Sequence, residues 1–579
     1  MDAAGLAIAA FNEVFVIGKF INQVLIDAGN QENDFQRLEF EFTHQQTLLA
    51  TFGKRFLESR AIYEIDDCWK DQIKIILEEL KRLVGEYGRL AARYDKGYAK
   101  KADDADKWWE VGARKSGKQL EVGEPKVISL ELVDTPEQGN PGKSTRPSSG
   151  WSIWCLSRAR SSKKFVRLEW ALFNREKLEA LVQDHSKLVG KLIEVMKLSL
   201  LTFDTFSSDI SKLQEFQGKD AKTFGFSKIT VTRMFILDHS QLEADATKLD
   251  LAMITSASNP LGPSGSKNNA APLVGGGESG DLQSGKYGDQ NILIEYKYYP
   301  SEESPESEIT LGRIQFLSKL LGVAGRESQS TDSNNFTLHC LGYFQEPKEN
   351  RYGLAFSVPP NCSPTFTSLH IAITSLRRES RPTLGQRFTI AHKIGYTLME
   401  WFLVGWVHKG INSKNILFFR KEGEGEKASP DFNSPYLCGF EYARPDEAIS
   451  GQVVEPRGPH WNLYRHPARQ GLPTEAFKRI HDIYALGVLL LEIGLWQVAP
   501  DLFAGTNTSS LPPSAIKTNL VRNARERLGH FMGRKYRDAV LLCLESSLAV
   551  DVDDKRDSKL IAAFKEKVVD ACEEGRALE

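Results

Sequence analysis

The chain has 579 residues, with 74 Lys and Arg against 76 Asp and Glu and a formal net charge of −2. At roughly 100–200 residues per domain, this length predicts about three units, and the charge balance argues against a general nucleic-acid binder or a long charged tail. Hydrophobic residues make up 41% and aromatics 10%, which excludes disorder throughout.

Ala3–Ile26 (AAGLAIAAFNEVFVIGKFINQVLI) is apolar except for Glu13 and Lys19, and Asp27-Ala28-Gly29-Asn30 supplies a helix stop. Phe35, Leu38, Phe42, Leu49, Phe52 and Phe56 step by three, four or seven and draw one helix face. Trp69, Ile73, Ile76, Leu80, Leu83, Tyr87 and Leu90 draw another, and Leu178, Leu181, Leu188, Leu192 and Val195 a fourth. A last helix is expected to include Leu237–Met253. Residues 1–255 therefore read as an all-α helical bundle.

Two stretches interrupt this pattern. Between Arg114 and Arg167, eleven Lys and Arg face five acids, a local charge of +6, within a turn-rich insertion at about 112–164 that also bears Trp151 and Trp154. Residues 256–290 are dense in Gly, Ser, Pro and Asn and read as a linker. The linker holds a Gly-x-Gly-x-x-Gly at Gly275, Gly277 and Gly280, but no strand pattern flanks it, so the composition reading prevails.

From residue 291 the pattern becomes α+β. Asn291–Tyr299 (NILIEYKYY) reads as a strand, Leu311–Leu321 as a helix, and Phe336–Tyr343 and Tyr352–Val358 as further strands. Helices are expected at Arg387–Val404, Ile480–Leu495 and Lys535–Leu548. Seven Cys with no Cys-x-x-Cys pair suggest neither a disulfide framework nor a zinc ribbon. No apolar run reaches the roughly 18 residues of an uninterrupted span, and no basic n-region precedes the apolar start. A soluble, cytoplasmic protein is the expectation.

The ordered motifs of the second half carry a resemblance. Val407–Leu417 (VHKGINSKNIL) resembles the catalytic loop of protein kinases. His408 matches its His and Asn415 its metal-binding Asn, while Gly410 stands at the catalytic Asp. Leu437–Arg444 (LCGFEYAR) resembles the start of an activation segment, with Gly439 at the metal-binding Asp and Phe440 at the Phe. Asp482-Ile483-Tyr484-Ala485-Leu486-Gly487 resembles the buried motif that anchors the catalytic loop, with Asp482 and Gly487 at its fixed positions. Lys297 sits where the phosphate-pairing lysine lies. The helix expected after it offers no Glu, only Gln315, to pair with that lysine.

The resemblance implies a two-lobed fold over residues 291–579. Phosphoryl transfer needs a base and metal-holding carboxylates, which Gly410 and Gly439 cannot supply. A pseudokinase without catalysis is therefore expected. No cofactor or metal is expected, and nucleotide held through Lys297 and Asn415 would not support transfer. The rival reading is a divergent active kinase using Glu441.

The first half resembles the HeLo domain of fungal incompatibility proteins. The likeness rests on AAGLAIAAF, on Asp34–Leu49 (DFQRLEFEFTHQQTLL) with Phe52-Gly53, and on Arg167–Val182 (RLEWALFNREKLEALV). It implies a helical bundle linked to membrane permeabilisation and cell death. The pairing is similar in architecture to the mixed-lineage-kinase-domain-like executioner of necroptosis. Under that resemblance Leu6, Ile8, Phe11, Phe15, Ile17 and Phe20 form the membrane-active helix. The bundle self-associates, meets lipid and relocates to the plasma membrane on activation, with no nucleic-acid partner. A 24-residue helix is about 36 Å long, enough for the ~30 Å hydrocarbon core, but Glu13 and Lys19 each oppose insertion. The remaining alternative is an interaction scaffold without membrane activity.

Overall fold

The computed structural model describes residues 2–29, 33–58, 61–92, 175–202, 232, 247–256, 282–299, 305–326, 336–423, 429–445, 459–470, 475–548, 553 and 557–578. The basic insertion and the Gly-x-Gly-x-x-Gly lie outside them. The chain divides into two compact units, Met1–Ser207 with Phe216–Phe226, and Ser208–Glu215 with Ser227–Glu579.

The first unit is helical. Its α1 (Ala3–Gly29) begins where the Asp2 carboxylate accepts the Gly5 N–H at 2.8 Å. Next come α2 (Asn33–Phe52), α3 (Asp67–Ala92) and α4 (Arg175–Thr202). Helix α1 packs on α2 and α3, and α4 packs on the same two. Of the periodic residues, Phe42, Phe52, Phe56, Trp69, Ile73, Leu80, Leu178 and Leu192 are fully buried, while Leu38, Ile76, Leu83 and Leu188 are half-buried.

Of the six α1 residues expected to face lipid, Ile8, Phe11 and Phe15 are buried and Leu6 is 37% exposed. Ile17 is intermediate, and the Phe20 side chain lies outside the described residues. An aromatic run links Phe15, Phe11, Phe52 and Phe56 at centroid spacings of 5.7, 5.9 and 5.4 Å. The two charges within Ala3–Ile26 are engaged: Glu13 pairs with Lys81 of α3 at 2.8 Å, and the Lys19 ammonium lies 4.9 Å from the Phe15 ring centre. Among the described residues no helix is long and apolar enough to cross a membrane.

A polar seam crosses this core. The His185 Nδ1–H of α4 donates to Gln45 Oε1 of α2 at 2.7 Å, and the His185 and Phe42 rings lie 4.7 Å apart. Burial pushes His185 down to about 4, so the ring is neutral at pH 7. Among the described residues, Gln45 Nε2, His185 Nε2 and both polar atoms of the Gln46 side chain have no hydrogen-bond partner. The Gln46 amide lies against Gly18 of α1, where an added Cβ would come within 2.5 Å of it.

The second unit begins earlier in the chain than the sequence suggests. Over its described part, the expected helix Leu237–Met253 is not a helix. Leu249 N–H donates to Tyr343 O at 2.8 Å, Leu251–Met253 is a single 3-10 turn capped by the Asp250 side chain, and Ile254–Ser256 is strand β1. Edge pairing to the following sheet overrides the local helical pattern. Gln283–Tyr287, at the end of the expected linker, is β2. With β3 (Gln290–Tyr298), β4 (Cys340–Glu346) and β5 (Arg351–Ser357) these form an antiparallel sheet in the order β1-β2-β3-β5-β4. Helix α5 (Pro305–Arg326) covers β4 and β5. Alternation on β3 sends Ile292, Ile294 and Tyr296 into a core with Leu249, Phe344 and Ala355. Leu293, Glu295 and Lys297 share the opposite face.

The remainder is a helical body with short sheets. Thr383 and Gln386 form a capping box that starts α6 (Leu384–Leu403). Strand β6 (Cys362–Ser368) pairs with β8 (Ile416–Lys421), which also pairs with β9 (Tyr436–Leu437). Strand β7 (Trp406–Val407) pairs with β10 (Arg444–Pro445). Helix α7 (Arg479–Leu495) is buried along its whole length, with α6 and α8 (Gly529–Glu545) packed against it. A Cβ at Gly487 would come within 2.7 Å of the Cys543 Cβ, so this position sets how closely α7 meets α8.

The seam yields a stability prediction. His185→Leu alone strips Gln45 Oε1 of its donor and lowers stability by about 1–3 kcal/mol, whereas Gln45→Leu/His185→Leu together recover most of that loss. Denaturant unfolding of the three variants against the parent measures the coupling.

Candidate functional site

The kinase-like motifs converge where β3, the loop 407–415, the turn 438–442 and the start of α7 meet. Asp482, in the first turn of α7, is buried and accepts the His408 N–H at 2.6 Å and the Lys409 N–H at 2.9 Å. Lys409 adopts a left-handed φ of 62°, and His408 Nδ1 accepts the Gly410 N–H at 3.1 Å. Asn412 Oδ1 accepts the Lys414 and Asn415 amides, and Asn412 Nδ2 donates to Gly410 O at 3.0 Å. Each side chain thus closes the loop onto its own backbone. The His408 ring meets Phe440 edge-on at 4.6 Å, and Trp401 of α6 lies 5.0 Å from Phe440 on another side.

The two glycines at the acidic positions abut one another. Asn415 Nδ2 donates to Gly410 O at 2.7 Å. A Cβ at Gly410 would lie 2.8 Å from Gly439 O, and one at Gly439 only 2.1 Å from Asn415 Nδ2. Gly439 also has φ +83° and ψ 41°, a left-handed conformation that glycine adopts without strain. Asn415 is thereby committed to the main chain, and the space beside both glycines is filled.

Lys297 is placed on β3 as expected, with its ammonium 3.7 Å from the centre of the Tyr442 ring. Gln315 does not face Lys297; it donates to the Tyr343 hydroxyl at 3.0 Å. The residue the sequence reading missed is Glu295, two positions before Lys297. Its carboxyl accepts the Gly439 N–H at 3.1 Å and the Glu441 N–H at 2.8 Å, with a residue exposure of 1%. An acid inside the apolar run N-I-L-I-E-Y-K was the available signal. Glu492, in the apolar run L-L-L-E-I-G, was missed likewise. It accepts from the Tyr464 hydroxyl and the Ala499 N–H, both at 2.6 Å, and Ser413 Oγ lies 3.1 Å from that hydroxyl.

His466, Glu475 and His481 bring ligand-type atoms within 4.8 Å of one another. Both rings accept a main-chain N–H at Nδ1, from Ala468 at 3.2 Å and Lys478 at 3.0 Å. The neutral ring then carries its proton on Nε2, which faces Ser546 Oγ at 3.1 Å in His466 and Glu475 Oε1 at 3.0 Å in His481. A metal needs a bare nitrogen, so ligation would cost one existing hydrogen bond per ring. The geometry is that of a hydrogen-bonded fastening.

The buried acids set a pH dependence. Burial pushes Glu295 up to about 8, reinforced by Glu441 and opposed by the two amides and Lys297. It pushes Asp482 and Glu492 each up to about 7. A raised acid contributes stability that is full below its unfolded value, near 4, and is lost as pH rises through the folded value. Burial lowers His185 to about 4, His392 to about 3 and His481 to about 4. Their contribution is present above ~6.5 and lost only as pH falls. Lys393, lowered to about 8, acts above the acid window. The thermal midpoint of the second unit is therefore expected to fall from about pH 6.5 to 8. Differential scanning calorimetry of the full chain should show a shallower fall in Glu295→Gln, and an equal slope would refute the assignment.

Comparison with known families divides the chain in the same order. A family model for HeLo, described as prion-inhibition and propagation, matches residues 11–218. A model for a domain of unknown function (DUF7580) matches residues 338–571, beginning after β3 and so excluding Glu295 and Lys297. None of the curated proteins matches the chain. The N-terminal helical region carries a HeLo domain, followed by a mixed α and β region that matches a family without assigned function.

Proposed function

We propose that this is a fungal signalling protein of the cell-death, heterokaryon-incompatibility type. Its HeLo bundle is the effector, and a catalytically silent kinase-like domain is its control element. The observation that carries the reading is the HeLo match over a bundle whose first helix buries Ile8, Phe11 and Phe15. Activation frees α1 and offers this apolar face to lipid or to further copies of the bundle. The protein is cytoplasmic at rest and moves to the plasma membrane when activated.

Three features support the kinase-like reading of the second unit. An antiparallel five-stranded sheet with one helix precedes the helical body. Asp482 holds the His408 and Lys409 amides from the start of a buried helix. Lys297 lies on β3, His408 and Asn415 in the loop 407–415, Phe440 in the turn 438–442, and Asp482 and Gly487 on α7, an order of elements that supports the reading. Catalysis is not expected, because Gly410 and Gly439 carry no carboxylate and Asn415 is turned onto the Gly410 carbonyl. Glu441 does not restore the chemistry, since its backbone is fastened to Glu295.

The test uses leakage of anionic liposomes. Because β1 belongs to the sheet of the second unit, the effector fragment ends before it, at residue 226. Fragment 1–226 is expected to release a trapped dye, and the full chain to release far less. Leu6 is exposed, so Leu6→Glu preserves the bundle and is expected to cut leakage by about a hundredfold, the order of one charged residue inserted at roughly 2.5–3.5 kcal/mol. A folded fragment that neither leaks vesicles nor arrests yeast growth would leave the scaffold reading in its place.

A further inference from the structure

Glu295 occupies the one place in β3 where a charge is least expected. Its neighbours Leu293 and Ile294 are fully buried, and its own exposure is 1%. Both carboxyl oxygens are used, Oε2 by the Gly439 amide and Oε1 by the Glu441 amide. The first amide belongs to the left-handed Gly439, and the second lies in the 3-10 turn Phe440–Tyr442 that follows it. Successive amides turned inward by such a backbone form an anion-binding nest. The nest lies beside Lys297 and the Asn415 side chain, the residues through which a phosphate ligand would be expected to bind.

We propose that the cleft between β3 and the turn 438–442 is closed by an internal ligand. The Glu295 carboxyl fills the anion nest formed by the Gly439 and Glu441 amides, latching the sheet to the turn and excluding nucleotide or any other phosphate-bearing molecule. The surrounding charges act in the same direction. The groups that interact electrostatically with Glu295 are the Glu441 carboxylate and the Lys297 ammonium, while the Cys340 thiol on β4 and the Cys438 thiol before the turn feel its charge. Burial holds both thiols protonated well above neutral pH. The Lys297 ammonium stacks over Tyr442. An incoming anion would therefore have to displace Glu295 and would meet Glu441 beside it. The space beside Gly410 and Gly439 is taken by Asn415 and by the main chain itself.

The inference goes beyond the proposed function, because it concerns the cleft alone. A vesicle-leakage failure would leave the latch standing, and an open cleft would leave the HeLo effector standing. The experiment compares the full chain with Glu295→Ala by hydrogen exchange of peptides covering 436–444, and by thermal shift with metal-free inorganic pyrophosphate. The parent is expected to protect the 439 and 441 amides and to show no shift. In Glu295→Ala those amides exchange about tenfold faster or more, each having lost its buried hydrogen-bond acceptor, and pyrophosphate raises the midpoint. If Glu295→Ala does not fold, Glu295→Gln, which keeps the shape and one acceptor, gives the exchange readout. Equal exchange in parent and variant, or a pyrophosphate shift in the parent as large as in the variant, overturns the proposal.

Discussion

The second unit is organised by carboxyls that are buried without a directly bonded cation. Removing a carboxylate from water costs several kcal/mol unless its lone pairs find donors. Glu295, Asp482 and Glu492 each find two, and at least one comes from a loop far along the chain. Asp482 reaches back to 408 and 409, Glu295 forward to 439 and 441, and Glu492 to Tyr464 and Ala499. The loops cannot leave without abandoning a buried acid, and the helices and strand cannot bury the acids without the loops. This mutual dependence fixes the region between β3 and α7 more firmly than apolar contact alone, because a misplaced amide leaves an unpaired polar group on both sides.

The two glycines take their meaning from that arrangement. On sequence alone, Gly410 and Gly439 register only as missing carboxylates. In the folded chain they are positions where no side chain fits, since a Cβ on either would press on the other segment or on Asn415. Restoring an Asp at 439 would require an unfavourable backbone conformation and the displacement of Asn415. Under the kinase-like reading, the site is a repacked one in which side-chain chemistry has given way to backbone fastening. On that reading, the turn where an acid would be expected supplies the amides that hold Glu295.

The strongly periodic elements were legible in the sequence. Trp69, Ile73 and Leu80 lie on one buried face of α3, and the apolar run from Ile480 became the buried α7. The Asp482 anchor was legible because its motif is contiguous. What was missed shares one cause, a polar group whose partner is distant in sequence. Glu295 read as part of a strand leading to Lys297, since nothing nearby announces amides from 439 and 441. Gln45, Gln46 and His185 read as polar faces of amphipathic helices, although they meet inside the bundle. Strands β1 and β2 were hidden because edge pairing, with Leu249 in the sheet core, decided a segment whose own composition favoured a helix or a linker.

The same accounting bears on the release of α1. Ile8, Phe11, Val14 and Phe15 are all at most 2% exposed, and at about 1.5–3 kcal/mol each their burial holds α1 in place by roughly 6–12 kcal/mol. Against this stands the Gln46 amide, dehydrated beneath Gly18 without a partner. Rehydrating it on detachment returns only about 1–3 kcal/mol. The seam weakens the seat of α1 but does not overturn it, so the helix does not leave into water. On the effector reading it would leave only where the same aromatic face is buried again, in lipid or against another copy. Glu13 adds a directional constraint, because leaving α3 breaks its contact with Lys81. A lone helix would carry that charge unpaired into hydrocarbon, whereas an assembly of several copies can turn it toward a shared polar interior. Oligomerisation is thus a physical requirement of the effector reading, set by Glu13 and four apolar side chains on one helix.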